Sequence, residues 1–120
     1  MRHMSLRRIG DVAVLTPRGY MTGGGETDEL SKAFKDLEEE GNRQVVVNLI
    51  ETVHLNSTAL GAFAAAGQRY KSLGGKIKLC HLNDRIRSVL VITHLGELFE
   101  DFANERSAVE SFKTEAKPSS

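Results

Sequence analysis

Apolar positions along this chain follow three different spacings, and each spacing predicts a different kind of element. Leu6 to Ile9 and Val12 to Thr16 flank Gly10-Asp11, a two-residue turn signal, so the chain is expected to open with a hairpin that Pro17 ends. From about Thr27 to Glu40, Leu30, Phe34 and Leu37 recur at helical spacing among charged residues, with Gly41 as the stop. That pattern predicts a surface helix with one buried stripe. The β-branched run within Gln44 to Leu49 predicts a strand buried on both faces. A second helix is expected from Ser57 to Leu73, carrying Leu60, Phe63, Ala64, Gly67 and Tyr70 toward the core and closed by Gly74-Gly75. Lys76 to His81 alternates as a strand, Asn83 or Asp84 caps a short helix through Ile86, Val89 and Leu90, and Phe99 to Phe102 makes a last short strand. Ser107-Ala108-Val109-Glu110 matches a capping box and predicts a final short helix.

Strands separated by helices of this length imply crossovers onto a mainly parallel sheet. The expected architecture is a single α/β domain over residues 1–112: a mixed, mostly parallel sheet of four to five strands, an N-terminal hairpin and about four helices. Lys113 to Ser120 has lost the apolar period and is expected to be a mobile tail.

Composition narrows the function classes. With 120 residues, 40% of them hydrophobic and 27% charged, the chain can build one proper core. Sixteen basic residues balance sixteen acidic ones, so there is no basic field for nucleic acid or an anionic membrane. One cysteine, Cys80, cannot form an internal disulfide, which fits a reducing, cytoplasmic compartment. No apolar run approaches the roughly 20 residues that span a bilayer, and Met1 to Arg8 lacks the apolar centre of a signal peptide. No membrane insertion is expected, and the oligomeric state is expected to be monomer or weak homodimer.

The chemistry concentrates at Asn56-Ser57-Thr58. Hydroxyls at a helix opening lie among orphan backbone N–H groups and the positive end of the helix dipole, where an attached phosphate would be welcome. On the residues alone, Ser57 and Thr58 read equally as simple capping residues. Gly23-Gly24-Gly25 lacks the Lys-Ser/Thr of a phosphate-binding P-loop and reads as a flexible loop. His3, His54, His81 and His94 form no metal-ligand pattern. His54 precedes Ser57 in what reads as a surface loop, without an orienting acid or an oxyanion hole, so no catalytic residue, metal or cofactor is expected. Cys80 reads as a small core residue, and the acidic run Asp36 to Glu40 as a solvated helix face.

The apolar strand Val45-Val46-Val47-Asn48-Leu49 leading to Asn56-Ser57-Thr58-Ala59-Leu60-Gly61 resembles the central motif of the STAS domain, the family of bacterial anti-sigma factor antagonists. Gly19, Gly74-Gly75-Lys76-Ile77 and Val91-Ile92-Thr93-His94-Leu95 extend the resemblance, which runs from about Leu6 to Phe112. It implies a STAS-like (SpoIIAA-like) fold and a non-enzymatic protein–protein switch in transcription regulation. By position, Ser57 is the phosphoacceptor and Thr58 the second choice. The implied partners are an anti-sigma factor that is also a serine kinase and a serine phosphatase that resets the cycle. The implied partner surface comprises Asn56, Ser57, Thr58, Ala59, Gly23, Gly24 and His54. An alternative role is a constitutive STAS subunit of a stress-signalling scaffold or a lipid-transport ATPase complex. Two residues depart from the motif: its aspartate is Asn56, which still caps a helix but carries no charge, and its glycine is Ala59, which adds a methyl.

Overall fold

The computed structural model describes residues 3–116. Strands β1 (Met4–Ile9) and β2 (Val12–Pro17) pair antiparallel around Gly10-Asp11, with Ile9 opposite Val12; Gly10 turns the chain at φ +60°. There follow β3 (Gly19–Met21), α1 (Gly25–Glu39), β4 (Gln44–Asn48), β5 (Thr52–Leu55), α2 (Ser57–Ser72), β6 (Lys76–Cys80), α3 (Asp84–Ile92), β7 (Glu100–Phe102) and α4 (Glu105–Ala116); a single 3₁₀ turn, Leu95–Glu97, precedes β7. The main sheet has the order β1-β2-β4-β6-β7, with every pair after the hairpin parallel.

Both faces of this sheet are covered, which explains its continuous apolar runs. Ala13 and Leu15 of β2, Val45 and Val47 of β4, and Ile77 and Leu79 of β6 point to one side, against Leu30, Phe34 and Leu37 of α1, Phe63 and Tyr70 of α2, and Ile86 and Leu90 of α3. Phe63 stands edge-on to Phe34 at 6.0 Å and to Phe99 at 6.3 Å between ring centres. The Tyr70 hydroxyl donates to the Phe34 carbonyl at 2.8 Å, and burial pushes its pKa up to about 12. Val12, Val14, Val46 and Cys80 point the other way, where α4 covers them with Ala108, Val109 and Phe112 and where Ile9 and Phe102 pack at the edges. Burial also raises the Cys80 thiol to about 12, which keeps it protonated and unreactive, as a core cysteine should be.

Several sequence expectations need correction. The stretches 19–21, given no element, and 52–55, read as a loop around His54, are short strands that pair in parallel as a separate two-stranded sheet, with a register shift between Gly19 and Tyr20. Ala64 is only half-buried; Ala66, three residues after Phe63 and four before Tyr70, takes its place on the core face. The final helix opens at Asn104, whose Oδ1 accepts from the Ser107 N–H at 2.8 Å, so Ser107 lies inside the first turn and is not the cap. That helix continues through Ala116, past the expected start of the tail at Lys113; residues 117–120 lie outside the described residues. The acidic run of α1 is paired rather than merely solvated: Asp36 bonds Lys32, Glu38 bonds Arg69 twice, and Glu40 bonds Arg8.

One buried charge stands out. Lys78 of β6 is fully buried beneath α4, where its Nζ donates to Ser111 Oγ at 2.7 Å and sits 4.2 Å from the ring centre of Phe112.

Candidate functional site

The start of α2 is assembled from three segments. Leu55 ends β5 in the core, Asn56 turns the chain in extended conformation (φ −88°, ψ 179°), and Ser57 is the first helical residue. Asn56 Oδ1 accepts from the Ala59 N–H at 3.0 Å, satisfying one of the orphan donors of the helix start. Ser57 and Thr58 are exposed, and the first turn of α2 holds no acidic residue. The positive end of the helix is therefore left uncompensated around the Ser57 hydroxyl, and added negative charge there meets attraction.

The β3–α1 loop lies directly against this turn. Asn56 Nδ2 donates to the Thr22 carbonyl at 2.8 Å, and the Asn56 N–H donates to the Met21 carbonyl at 3.0 Å. Gly23 presses on Thr58: a Cβ at Gly23 would fall 2.6 Å from Thr58 Cγ2, and its φ of +89° already demands glycine. So Gly23 does touch the hydroxyl pair, by contact with Thr58. The amides of the loop are turned inward. Glu26 Oε1 accepts from the Thr22 N–H at 2.5 Å, the Thr22 hydroxyl at 2.9 Å and the Gly24 N–H at 3.2 Å, while the Gly23 N–H donates to Thr27 Oγ1 at 3.0 Å. The backbone hydrogen bond from Thr22 is the main reason the Glu26 carboxyl falls from the ordinary 4.5 to about 2.

Two expected members of the surface are placed differently. Ala59 is fully buried in the main core, because the third helical position of α2 faces inward; its methyl fills the core and is closed to a partner. His54 lies in β5, in register with Tyr20 of β3, half-buried, and not in a loop. Gly24 is exposed, as is Ser57, while Asn56 and Gly23 are half-buried. Nearby on the same small sheet and its approach, Tyr20 (61% exposed), Ile50 (61%) and Val53 (40%) present apolar surface to solvent.

Sequence reasoning overlooked Thr22, Glu26 and Thr27, which lock the loop, and, for Asn83, the second bond beyond the cap it was expected to make. The side chain of Asn83 caps α3 by accepting from Ile86 N–H at 2.8 Å and donates to the Val53 carbonyl at 3.1 Å, tying α3 to β5. The only signal for the lock was an acid immediately after the glycines, which reads equally as an ordinary first-turn helix charge. Among the described residues no group of His, Cys, Asp and Glu converges as a metal site, and no helix is long and apolar enough to cross a membrane.

A mixed five-stranded sheet opened by a hairpin, with three helices on one face and one on the other, and an exposed serine opening the second helix, defines a small class of regulatory α/β domains. The chain belongs to the STAS domain family, whose model matches residues 3–108. It is 29% identical over 92 residues to the anti-sigma-B factor antagonist of Staphylococcus aureus, a match spanning 72% of this chain and 83% of that protein. Among solved structures, the anti-sigma factor antagonist of Mycobacterium paratuberculosis superposes with a TM-score of 0.77 at 18% identity, covering 92% of each chain. SpoIIAA, an anti-sigma factor antagonist, matches in its unphosphorylated form with a TM-score of 0.75 at 12% identity, over 92% of this chain and 97% of SpoIIAA. SpoIIAA in its phosphorylated form, described as a Bacillus cell fate determinant, matches with 0.74 at 15% identity, over 91% of this chain and 98% of that one.

Proposed function

We propose that this chain is a bacterial anti-sigma factor antagonist: a cytoplasmic, non-enzymatic binding module that sequesters an anti-sigma factor and is switched off by phosphorylation at Ser57. The observation that carries this reading is the exposed Ser57 hydroxyl on the first residue of α2, in a turn without acidic residues, directly after a small sheet that carries exposed Tyr20 and Val53. The partner is an anti-sigma factor with serine kinase activity; a serine phosphatase resets the cycle. A phosphoserine adds close to two negative charges. At the start of α2 those charges suit the helix dipole, so the fold tolerates them, while at a docked interface they must be desolvated or repelled. A penalty of about 2.7 kcal/mol already weakens binding roughly 100-fold. The similar fit of this chain to both forms of SpoIIAA agrees with a modification that acts by charge while the fold persists.

The test uses the full chain, an anti-sigma kinase encoded beside it, and ATP. Mass spectrometry is expected to find one phosphate, on Ser57; Ser57→Ala should abolish it while keeping partner binding, and Ser57→Asp should weaken binding by about two decades. Absence of phosphate from both Ser57 and Thr58, with binding unmoved by either substitution, would replace this reading by a constitutive subunit of a scaffold or transport complex.

A further inference from the structure

Residue 56 does two jobs with two different atoms, and only one of them is capping. Its Oδ1 faces an N–H donor, that of Ala59 at 3.0 Å; its Nδ2 faces an acceptor, the Thr22 carbonyl at 2.8 Å. The two neighbours fix the orientation of the amide, since a flipped side chain would set donor against donor and acceptor against acceptor. We propose that Asn56 is a positioning residue that clamps the Thr22–Gly24 loop to the acceptor turn, through an amide donor that no carboxylate can supply. An aspartate at this position would keep the cap, and indeed suit the helix dipole, but would turn a carboxylate oxygen toward the Thr22 carbonyl oxygen.

The clamp has something rigid to hold. Glu26 and Thr27 already take up the N–H groups of Thr22, Gly23 and Gly24, so the loop is fixed to the start of α1 on its donor side. Asn56 then takes the Thr22 carbonyl on its acceptor side, and Gly23 closes against Thr58 too tightly to admit a β-carbon. Loop, acceptor serine and second hydroxyl thus form one body, and a partner that docks on Ser57 meets all of it. The inference adds a specificity determinant to the proposed switch: a partner suited to this chain reads an uncharged residue 56 and a loop already in place.

The experiment uses the full chain, with no kinase present. In the wild-type protein, NMR should show a nuclear Overhauser contact between the Thr58 methyl and the Gly23 α-protons, and a protected Ala59 amide. Asn56→Asp and Asn56→Ser both retain a capping oxygen, so Ala59 should stay protected in both. The Gly23–Thr58 contact should weaken in both, and amide exchange at Gly23 should speed up by about five- to tenfold, the change in opening equilibrium expected for one lost hydrogen bond. Ser57→Asp should shift the Thr22–Gly24 resonances in the wild-type background and leave them nearly unmoved in the Asn56→Asp background. A Gly23–Thr58 contact that survives Asn56→Asp intact, or Ala59 protection that collapses together with it, would reduce residue 56 to a cap and overturn the inference. None of these measurements depends on phosphorylation, so their failure and the failure of the kinase experiment are separate results.

Discussion

Helices α2 and α3 are both opened by an asparagine in extended conformation, Asn56 and Asn83, and each caps by accepting from the amide three residues on, at 3.0 and 2.8 Å. Each asparagine also spends its amide donor on a neighbouring carbonyl, of Thr22 for Asn56 and of Val53 for Asn83. The two starts differ in charge. α3 carries Asp84 in its first turn, which compensates its dipole, whereas α2 carries only the hydroxyls of Ser57 and Thr58. The same capping geometry therefore yields a closed electrostatic account in one helix and an open one in the other. A helix start that is structurally finished yet short of negative charge is what a regulatory anion needs.

The comparison can be broken at several strengths. It presumes that packing carries each helix and that the caps only trim it, so the largest loss should come from the core. Phe63→Ala in α2 should cost about 3–5 kcal/mol in urea unfolding, and Ile86→Ala in α3 about 2–5. If either fell below the effect of its cap, the helix would be held at its end rather than along its side. Next come the caps themselves: Asn56→Ala and Asn83→Ala should each cost about 1–2 kcal/mol in the same assay, and by similar amounts, because their geometries match. The charge difference gives a smaller effect of opposite sign. Ser57→Asp should leave stability unchanged or raise it by about 0.3–1 kcal/mol, Asp84→Ser should lower it by a comparable amount, and both should shrink as salt rises.

The smallest effect concerns α1, which opens at Gly24 with no side-chain cap and has Glu26 folded back on its preceding loop. The Glu26 carboxyl is depressed from 4.5 to about 2, so between those values the unfolded chain binds more protons than the folded one. Its contribution is complete above about pH 4.5 and lost as pH falls toward 2, with the exposed setting keeping it small. Stability curves of Glu26→Gln and the parent should run parallel above pH 5 and converge in acid; continued divergence below pH 4 would contradict the assignment.

Most of what positions the site was legible in the chain, for local reasons. Gly10-Asp11 between two apolar runs specified the hairpin, the spacing of Leu30, Phe34 and Leu37 specified α1, and Asn56 before an apolar helical pattern specified the start of α2. What escaped depends on partners far away in sequence. Strands β3 and β5 have three and four residues, too few to show a period of two, and exist because they pair with one another across more than thirty residues. Ala59 falls on the expected partner surface by its position at the motif's glycine; the helical rotation that turns it inward becomes clear only once the core side of α2 is known. In the last helix, Asn104, three residues before the expected cap Ser107, takes the capping role, so the helix begins a turn earlier than the capping-box pattern indicated. The clamp from Asn56 to Thr22 had no sequence signal at all, since its acceptor is a backbone oxygen.

Lys78 adds a last point about α4. The apolar part of the strip that this helix covers is Val12, Val14, Val46 and Cys80, a surface that by itself would let an amphipathic helix slip by a turn. The ammonium opposes such a slip: moved one turn, α4 would withdraw the Ser111 hydroxyl and the Phe112 ring and leave the buried charge with Glu100 Oε1 at 3.7 Å and the Phe102 ring. The C-terminal helix is thus keyed to the sheet like a dowel in a drilled hole, with its seating set by two buried polar residues on that face, Lys78 bonded to Ser111 and Asn48 bonded to Glu105.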